Sequence, residues 1–154
     1  MGFDLTGVMP KKEIGSYFRN NIWWWRPLWS YCLDEKLITE EDYERGQYND
    51  GYYIKEAQAI KIGIKLKHLV SQGKTKEYEE NYKIHLSKLP ERSCDLCNGT
   101  GTRNDKHTDH KDVKCNGCNG KGMREPWEKS YPFSTQNVEE FADFCLNSGG
   151  FEIW

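Results

Sequence analysis

An eight-residue pattern, C-x-x-C-x-G-x-G, occurs twice in this chain and constrains its fold more strongly than any other feature. The first copy runs from Cys94 to Gly101, and the second follows thirteen residues later, from Cys115 to Gly122. Each C-x-x-C turn places two thiolates on one side of a tight loop, and four sulfurs complete a tetrahedral zinc shell. The seventeen residues between Cys97 and Cys115 match the spacing usual for such paired sites. The sequence therefore predicts one zinc ion bound by Cys94, Cys97, Cys115 and Cys118.

Zinc with four sulfur ligands has no open position for water or substrate, so we expect a structural ion rather than a catalytic one. Its binding free energy would stabilise a segment that has almost no apolar core of its own. Gly99 and Gly120 follow the two cysteine pairs, and glycine at positive φ lets its amide point back at the sulfurs. The alternatives are disulfides or free thiols. Residues 1–10 lack the charged and then apolar pattern of a signal peptide, which predicts a cytoplasmic protein. Disulfides are rare in the cytoplasm.

The repeated pattern resembles the cysteine-rich region of DnaJ-like type I co-chaperones. That region has four repeats and two zinc ions, whereas the two repeats here suffice for one ion. The resemblance covers about thirty residues, and the chain has no His-Pro-Asp turn of a J-domain. It implies a zinc-binding hairpin module.

Three further segments carry a second resemblance: Gly2–Asp4, Tyr17–Trp29 and Gly149–Trp154. They resemble a family of uncharacterised small proteins of phages and bacteria. The resemblance implies a phage-encoded protein. A role in host takeover or in countering host defence is then an expectation by association.

The composition predicts a small core that is rich in aromatic side chains. Aromatic residues make up 14% of the chain, with six tryptophans, while charged residues make up 30%. Large rings supply such a core because each buries much apolar area. Cys32 and Cys145 lie in apolar periodic stretches and are predicted to be buried thiols rather than ligands. No apolar run approaches the roughly 20 residues that a membrane span needs.

We expect one compact, mainly α-helical domain with an inserted zinc-binding β-hairpin. Its parts are an aromatic-rich helical region at 1–92, the zinc module at 93–124, and a C-terminal helix and tail at 125–154 that pack back on the first region. Residues 1–21 show no clear period and are predicted to be irregular. Periodicity and capping residues predict helices at Pro27–Glu35, Thr39–Gly46, Thr75–Leu89 and Gln136–Asn147. Thr39 is the predicted cap of the second helix, and either Ser134 or Thr135 that of the last.

The segment Tyr52–Gln72 is compatible with two structures. Its aliphatic residues at 60–66 alternate with lysine and glycine as in a strand. Its length of about twenty residues is too great for a typical strand, which favours a helix. We predict a central helix, buried on two faces, that forms an antiparallel hairpin with the next helix. The two faces are Ala57, Ile60 and Ile64, and Ile62, Leu66 and Leu69.

Three consecutive tryptophans, Trp23 to Trp25, form the densest aromatic cluster. They cannot all face one way, so the default expectation places two in the core and the third under another segment. The functional alternative is an aromatic platform for a base or a ligand ring, with a cationic contact from the neighbouring arginine. The histidines in the loop between the cysteine pairs are further candidates. The candidate contact residues are Trp23, Trp24, Trp25, Arg26, His107 and His110.

The sequence contains no catalytic motif of the G-x-S-x-G or H-E-x-x-H type and no glycine loop for phosphate binding. The favoured function is therefore that of a non-catalytic zinc protein that binds a partner protein. One alternative is nucleic-acid binding, because residues 51–92 carry nine basic and five acidic side chains. The other alternative is a nucleotide or small-molecule binder built on the tryptophan cluster.

Overall fold

A computed structural model describes residues 2–103 and 113–154 of this chain. The chain divides into two compact units, Met1–Ile84 with Ser130–Trp154 as the first and His85–Lys129 as the second. The second unit contains the whole zinc module predicted at 93–124. Helices make up 49% and strands 17% of the structure, so the fold is mixed α/β. The prediction of a mainly α-helical protein accounts for the helices but omits a four-stranded antiparallel sheet.

Helices and strands are numbered in chain order. The α-helices are α1 (Ile22–Asp34), α2 (Glu40–Arg45), α3 (Glu56–Ser71), α4 (Lys74–Lys88) and α5 (Thr135–Asn147). The strands are β1 (Gly2–Gly7), β2 (Tyr17–Asn21), β3 (Tyr52–Ile54), β4 (Arg92–Ser93), β5 (Thr102–Arg103), β6 (Val113–Lys114), β7 (Met123–Arg124) and β8 (Phe151–Ile153). Short 3-10 helices lie at Glu13–Gly15 and Trp127–Ser130. Within the described residues, no helix has both the length and the apolar character needed to cross a lipid bilayer.

The sheet of the first unit has the strand order β2-β1-β8-β3. Alternate side chains of a strand point to the same face, and one face of this sheet buries Phe3, Leu5, Phe18, Phe151 and Ile153. The prediction that residues 1–21 are irregular is wrong, because β1 and β2 lie there and pair with each other. The sequence signal was weak, since each of these strands contributes only one or two buried apolar side chains. The tail was predicted to dock into the core, and it does so as β8, which pairs with both β1 and β3.

The first helix begins five residues earlier than its sequence predicts. Asn21 ends β2, and its side-chain oxygen accepts hydrogen bonds from the amides of Trp23 at 3.0 Å and Trp24 at 3.1 Å. This cap starts α1 at Ile22, so the predicted start at Pro27 is wrong. Pro27 lies inside the helix instead.

Two other predicted caps are confirmed. Thr39 caps α2 in a capping box, with the Asp42 amide donating to the Thr39 hydroxyl at 3.1 Å. Ser134 caps α5, accepting from the Asn137 amide at 3.2 Å. Both helices therefore begin where a hydroxyl side chain satisfies an amide that has no partner inside the helix.

Helix α3 occupies most of the segment that was compatible with a strand or a helix. Its buried face consists of Ala59, Ile62, Gly63, Leu66 and Leu69. The prediction of burial on two faces is wrong, since Ile64 on the other face is 59% exposed. The predicted hairpin with α4 is wrong as well, because α3 packs along α5. Gly63 permits this packing: a Cβ atom there would lie 2.6 Å from Cγ of Leu146.

The core of the first unit is built around two stacked rings of α1. Trp25 and Trp29 stack with their centroids 4.9 Å apart, and Phe141 of α5 meets both of them edge-on. Each indole N–H has a partner, since Trp25 donates to the Gly46 carbonyl at 2.8 Å and Trp29 to the Asp42 carbonyl at 3.2 Å. The aromatic core expected from composition is confirmed. The predicted burial of the two remaining thiols is confirmed too, for Cys32 and Cys145.

Candidate metal centre

Four cysteine sulfurs meet inside the second unit. Cys94, Cys97, Cys115 and Cys118 are buried, and their sulfur atoms all lie within 4.8 Å of one another. Two pairs link the repeats, with 3.9 Å from Cys94 Sγ to Cys115 Sγ and 3.7 Å from Cys97 Sγ to Cys118 Sγ. A tetrahedral zinc ion with Zn–S bonds of about 2.3 Å separates its sulfurs by about 3.8 Å. The cysteines predicted as ligands thus form a group that can hold one metal ion.

Reciprocal hydrogen bonds join the two repeats. The Cys94 amide donates to the Gly122 carbonyl at 2.8 Å, and the Cys115 amide donates to the Gly101 carbonyl at 2.9 Å. The strands show the same relation, because β4 pairs with β7 and β5 pairs with β6. The repeats are therefore related by an approximate two-fold axis, and each contributes two sulfurs to the site.

Backbone amides point at two of the sulfurs. The Gly101 amide donates to Cys97 Sγ and the equivalent Gly122 amide to Cys118 Sγ, both at 3.2 Å. Such bonds stabilise a thiolate and orient it toward a metal ion. The sequence predicted these contacts but assigned them to the wrong glycine of each repeat. Gly99 and Gly120 do have positive φ, but their amides donate to backbone carbonyls, and the turn they make aims the second glycine at the sulfur.

The surroundings of Cys94 and Cys97 have opposite effects on the pKa of their thiols. Burial raises the pKa of the Cys94 thiol to about 11. Burial acts in the same direction on Cys97, but the Gly101 amide and the neighbouring thiols outweigh it and lower the pKa of Cys97 to about 7. Of these two thiols, Cys97 is thus the more acidic, and a bound divalent cation favours the thiolate form of its cysteine ligands.

The site is closed, because a metal ion among four buried sulfurs has no vacant position for water or substrate. This chain matches no protein-family model, no curated protein and no solved structure. The metal is therefore inferred from the donor set alone. A tetrahedral group of four sulfurs is typical of zinc and of iron–sulfur sites.

The structure separates the three tryptophans that were candidates for a single platform. Successive helical residues point about 100° apart, and Trp25 is fully buried while Trp23 is 43% exposed. Trp23 meets the ring of Tyr131 edge-on at 4.8 Å, and Arg26 donates to the Tyr131 hydroxyl at 3.3 Å. Trp24 is half-buried. The expectation of two core tryptophans is wrong, and Trp25 cannot contact a ligand at the surface.

Trp24 and the two histidines between the cysteine pairs are the remaining candidates. Trp24 lines a small polar pocket of about 270 Å³ together with Arg19 and Asn20. His107 and His110 lie outside the described residues. One surface was missed altogether: Ile60 and Ile64, which the sequence assigned to the core, line an open groove of about 630 Å³. The sequence signal for this surface was the second apolar face of α3.

Proposed function

We propose that this chain is a non-catalytic zinc-binding protein that acts by binding a partner protein. The zinc assignment rests on the sulfur separations of 3.7 and 3.9 Å, which agree with a tetrahedral zinc shell. A structural role is supported by the composition of the second unit, where the cysteines are the buried hydrophobic side chains among the described residues. A unit without an apolar core depends on its metal ion to fold.

The partner-binding role rests on two features. The coordination shell leaves no place for a substrate, and the first unit exposes an apolar face on α3 where a protein could dock. By association with the phage and bacterial proteins that the three aromatic segments resemble, we propose a bacterial host or defence protein as the partner. Expression of the chain in bacteria should then change growth or phage plating, and unchanged growth and plating would contradict this role.

Elemental analysis of metal content per chain tests the zinc assignment. Wild-type protein is expected to contain one zinc ion per chain, and the double variant Cys94→Ser with Cys118→Ser none. The matched control is Cys32→Ala with Cys145→Ala, which removes two buried thiols of the first unit and should leave the zinc content unchanged. Iron in place of zinc, or no metal in the wild type, would overturn the assignment.

A further inference from the structure

A groove on the first unit runs between the exposed face of α3 and the segment Glu35–Leu37. Ala57, Ile60 and Ile64 recur at helical spacing on this face and line the groove, which has a volume of about 630 Å³. Ile64 is 59% exposed. An apolar strip of this kind with a polar rim is typical of a surface that binds another molecule.

The rim of this groove is basic. Its charged and titratable lining residues are Lys36, Lys61, Lys65, His68 and the acidic Glu35. Lys67, on the same helix but outside the groove, lies 2.7 Å from the Asp143 carboxylate. Across residues 2–103 and 113–154, the three groove lysines form no such ion pair. The rim therefore offers positive charge that a ligand with carboxylates can neutralise.

Lys36 occupies a position at which the fold alone favours glycine. Helix α1 ends in a Schellman motif, with the Lys36 amide donating to the Leu33 carbonyl at 2.8 Å and the Leu37 amide to the Cys32 carbonyl at 2.9 Å. Lys36 accordingly has a φ of 56°. Glycine adopts this conformation without strain and usually fills this position. The side chain found there instead is one of the cations of the groove.

We propose that this groove binds an acidic amphipathic helix of a partner protein. The proposal rests on the partner-binding part of the proposed function and names the surface responsible for it. Apolar side chains one turn apart on the partner helix pack against Ile60 and Ile64, and its flanking carboxylates meet the lysines of the rim. A nucleic acid fits less well, because its phosphates would use the cations and leave the isoleucines without an apolar partner.

The proposal is tested by selecting peptides that bind the zinc-loaded full chain from a library of random sequences. Peptides of about 16 residues are long enough to form a helix that spans the groove. Enriched peptides are expected to carry Asp or Glu together with apolar residues four positions apart. Their affinity, measured by fluorescence anisotropy, should fall at least about tenfold with Ile64→Glu. The matched control is Ile14→Glu, at another isoleucine that is 49% exposed, and it should leave affinity unchanged.

Lys36→Gly separates recognition from folding. Because glycine suits the end of α1, this variant should melt at the same temperature as the wild type or higher. Its affinity for the selected peptides should nevertheless fall about threefold, through loss of a rim charge. Lys12→Gly removes the same charge at an exposed position away from the groove and should leave peptide affinity unchanged.

Three outcomes overturn the proposal. The first is that no acidic peptides are enriched, and the second is that Ile64→Glu does not weaken peptide binding. The third is that the chain binds single-stranded DNA in a salt-dependent way, and that Lys36→Gly weakens this binding but Ile64→Glu does not. Zinc content measured on the same samples distinguishes the two proposals. A zinc-loaded chain that selects no peptide overturns the groove alone, whereas a chain that selects acidic peptides without zinc overturns the zinc assignment alone.

Discussion

Gly122 lies so close to Gly99 that a Cβ atom on it would stand 2.3 Å from the Gly99 carbonyl oxygen. The two-fold relation between the repeats produces the same contact on the other side, where a Cβ atom on Gly101 would lie 2.5 Å from the Gly120 carbonyl oxygen. The obstacle is backbone in both cases, so no side-chain rotation relieves it. The second glycine of each repeat is therefore required by the approach of the two halves.

Gly122→Ala is expected to lower zinc affinity at least about tenfold, because the added carbon separates the repeats and misplaces the amide that faces Cys118. Gly73→Ala is the matched control: its φ of 73° is similar to the 76° of Gly122, but no heavy atom beyond its own chain neighbours lies within 4 Å of the added carbon. Competition with a chromogenic chelator measures both affinities. Equal zinc affinity in the wild type and Gly122→Ala would show that the halves can move apart freely.

Removal of the metal is expected to unfold the second unit and to leave the first unit folded. The buried residues of the aromatic core all come from the first unit, so their packing does not depend on the cysteines. The near-ultraviolet circular dichroism of the stacked Trp25 and Trp29 should persist in excess chelator, while amide hydrogen exchange at 92–103 and 113–124 becomes fast. Loss of the aromatic signal upon chelation would contradict this prediction.

Glu79 is expected to stabilise the first unit at neutral pH and to lose this effect in acid. Burial alone would raise its pKa, but hydrogen bonds from Lys83 and from the amide and hydroxyl of Thr135 outweigh it and lower the pKa of Glu79 to about 2. A folded-state pKa below the ordinary value of 4.5 means that the stabilisation is complete above that value and disappears as the pH falls toward 2.

Glu79→Gln should therefore lower the free energy of unfolding by about 2 kcal/mol at pH 7. Its deficit relative to the wild type should shrink between about pH 4.5 and pH 2. Urea unfolding at several pH values measures the difference in the free energy of unfolding between the two proteins. Any loss of metal in acid affects both proteins equally. Glu80→Gln, at the exposed neighbouring position, is the control. A deficit that does not change with pH would mean that the ionised carboxylate is not what matters.

Gly63→Ala is expected to destabilise the first unit, although alanine is normally the better helix former by about 1 kcal/mol. The new carbon would lie 2.6 Å from Leu146 Cγ and 2.9 Å from the Ala142 carbonyl oxygen, so α3 and α5 have to move apart. We expect a net loss of about 1–3 kcal/mol, typical of overpacking. Thermal denaturation measures it. A rise in melting temperature would show that the helices adjust without loss of packing.

The metal site was predictable because its information is local and chemical. Each C-x-x-C turn brings its own two sulfurs together, and two such turns need only meet. The caps at Thr39 and Ser134 were predictable for the same reason, since each lies within three residues of the amide that it satisfies.

The sheet could not be predicted, because its pairing depends on residues far apart in the sequence. Leu5 lies opposite Phe18 on one side and Ile153 on the other, and nothing near β1 indicates the second partner. The two apolar faces of α3 posed a different difficulty. Hydrophobicity marks both Ile62 and Ile64 as candidates for burial, but only the face with Gly63 admits another helix closely enough.

The place of β8 in the sheet has a consequence for how the first unit folds. The backbone hydrogen bonds of helices α1 to α5 join residues close together in the sequence, whereas β8 has to close a very long loop before it can insert between β1 and β3. We therefore expect refolding to pass through a state that is helical but lacks its completed sheet. In that state β1 and β3 each present an unpaired edge, and an open edge pairs readily with another chain. Slow refolding with loss to aggregation at high protein concentration is the kinetic signature of such a strand order.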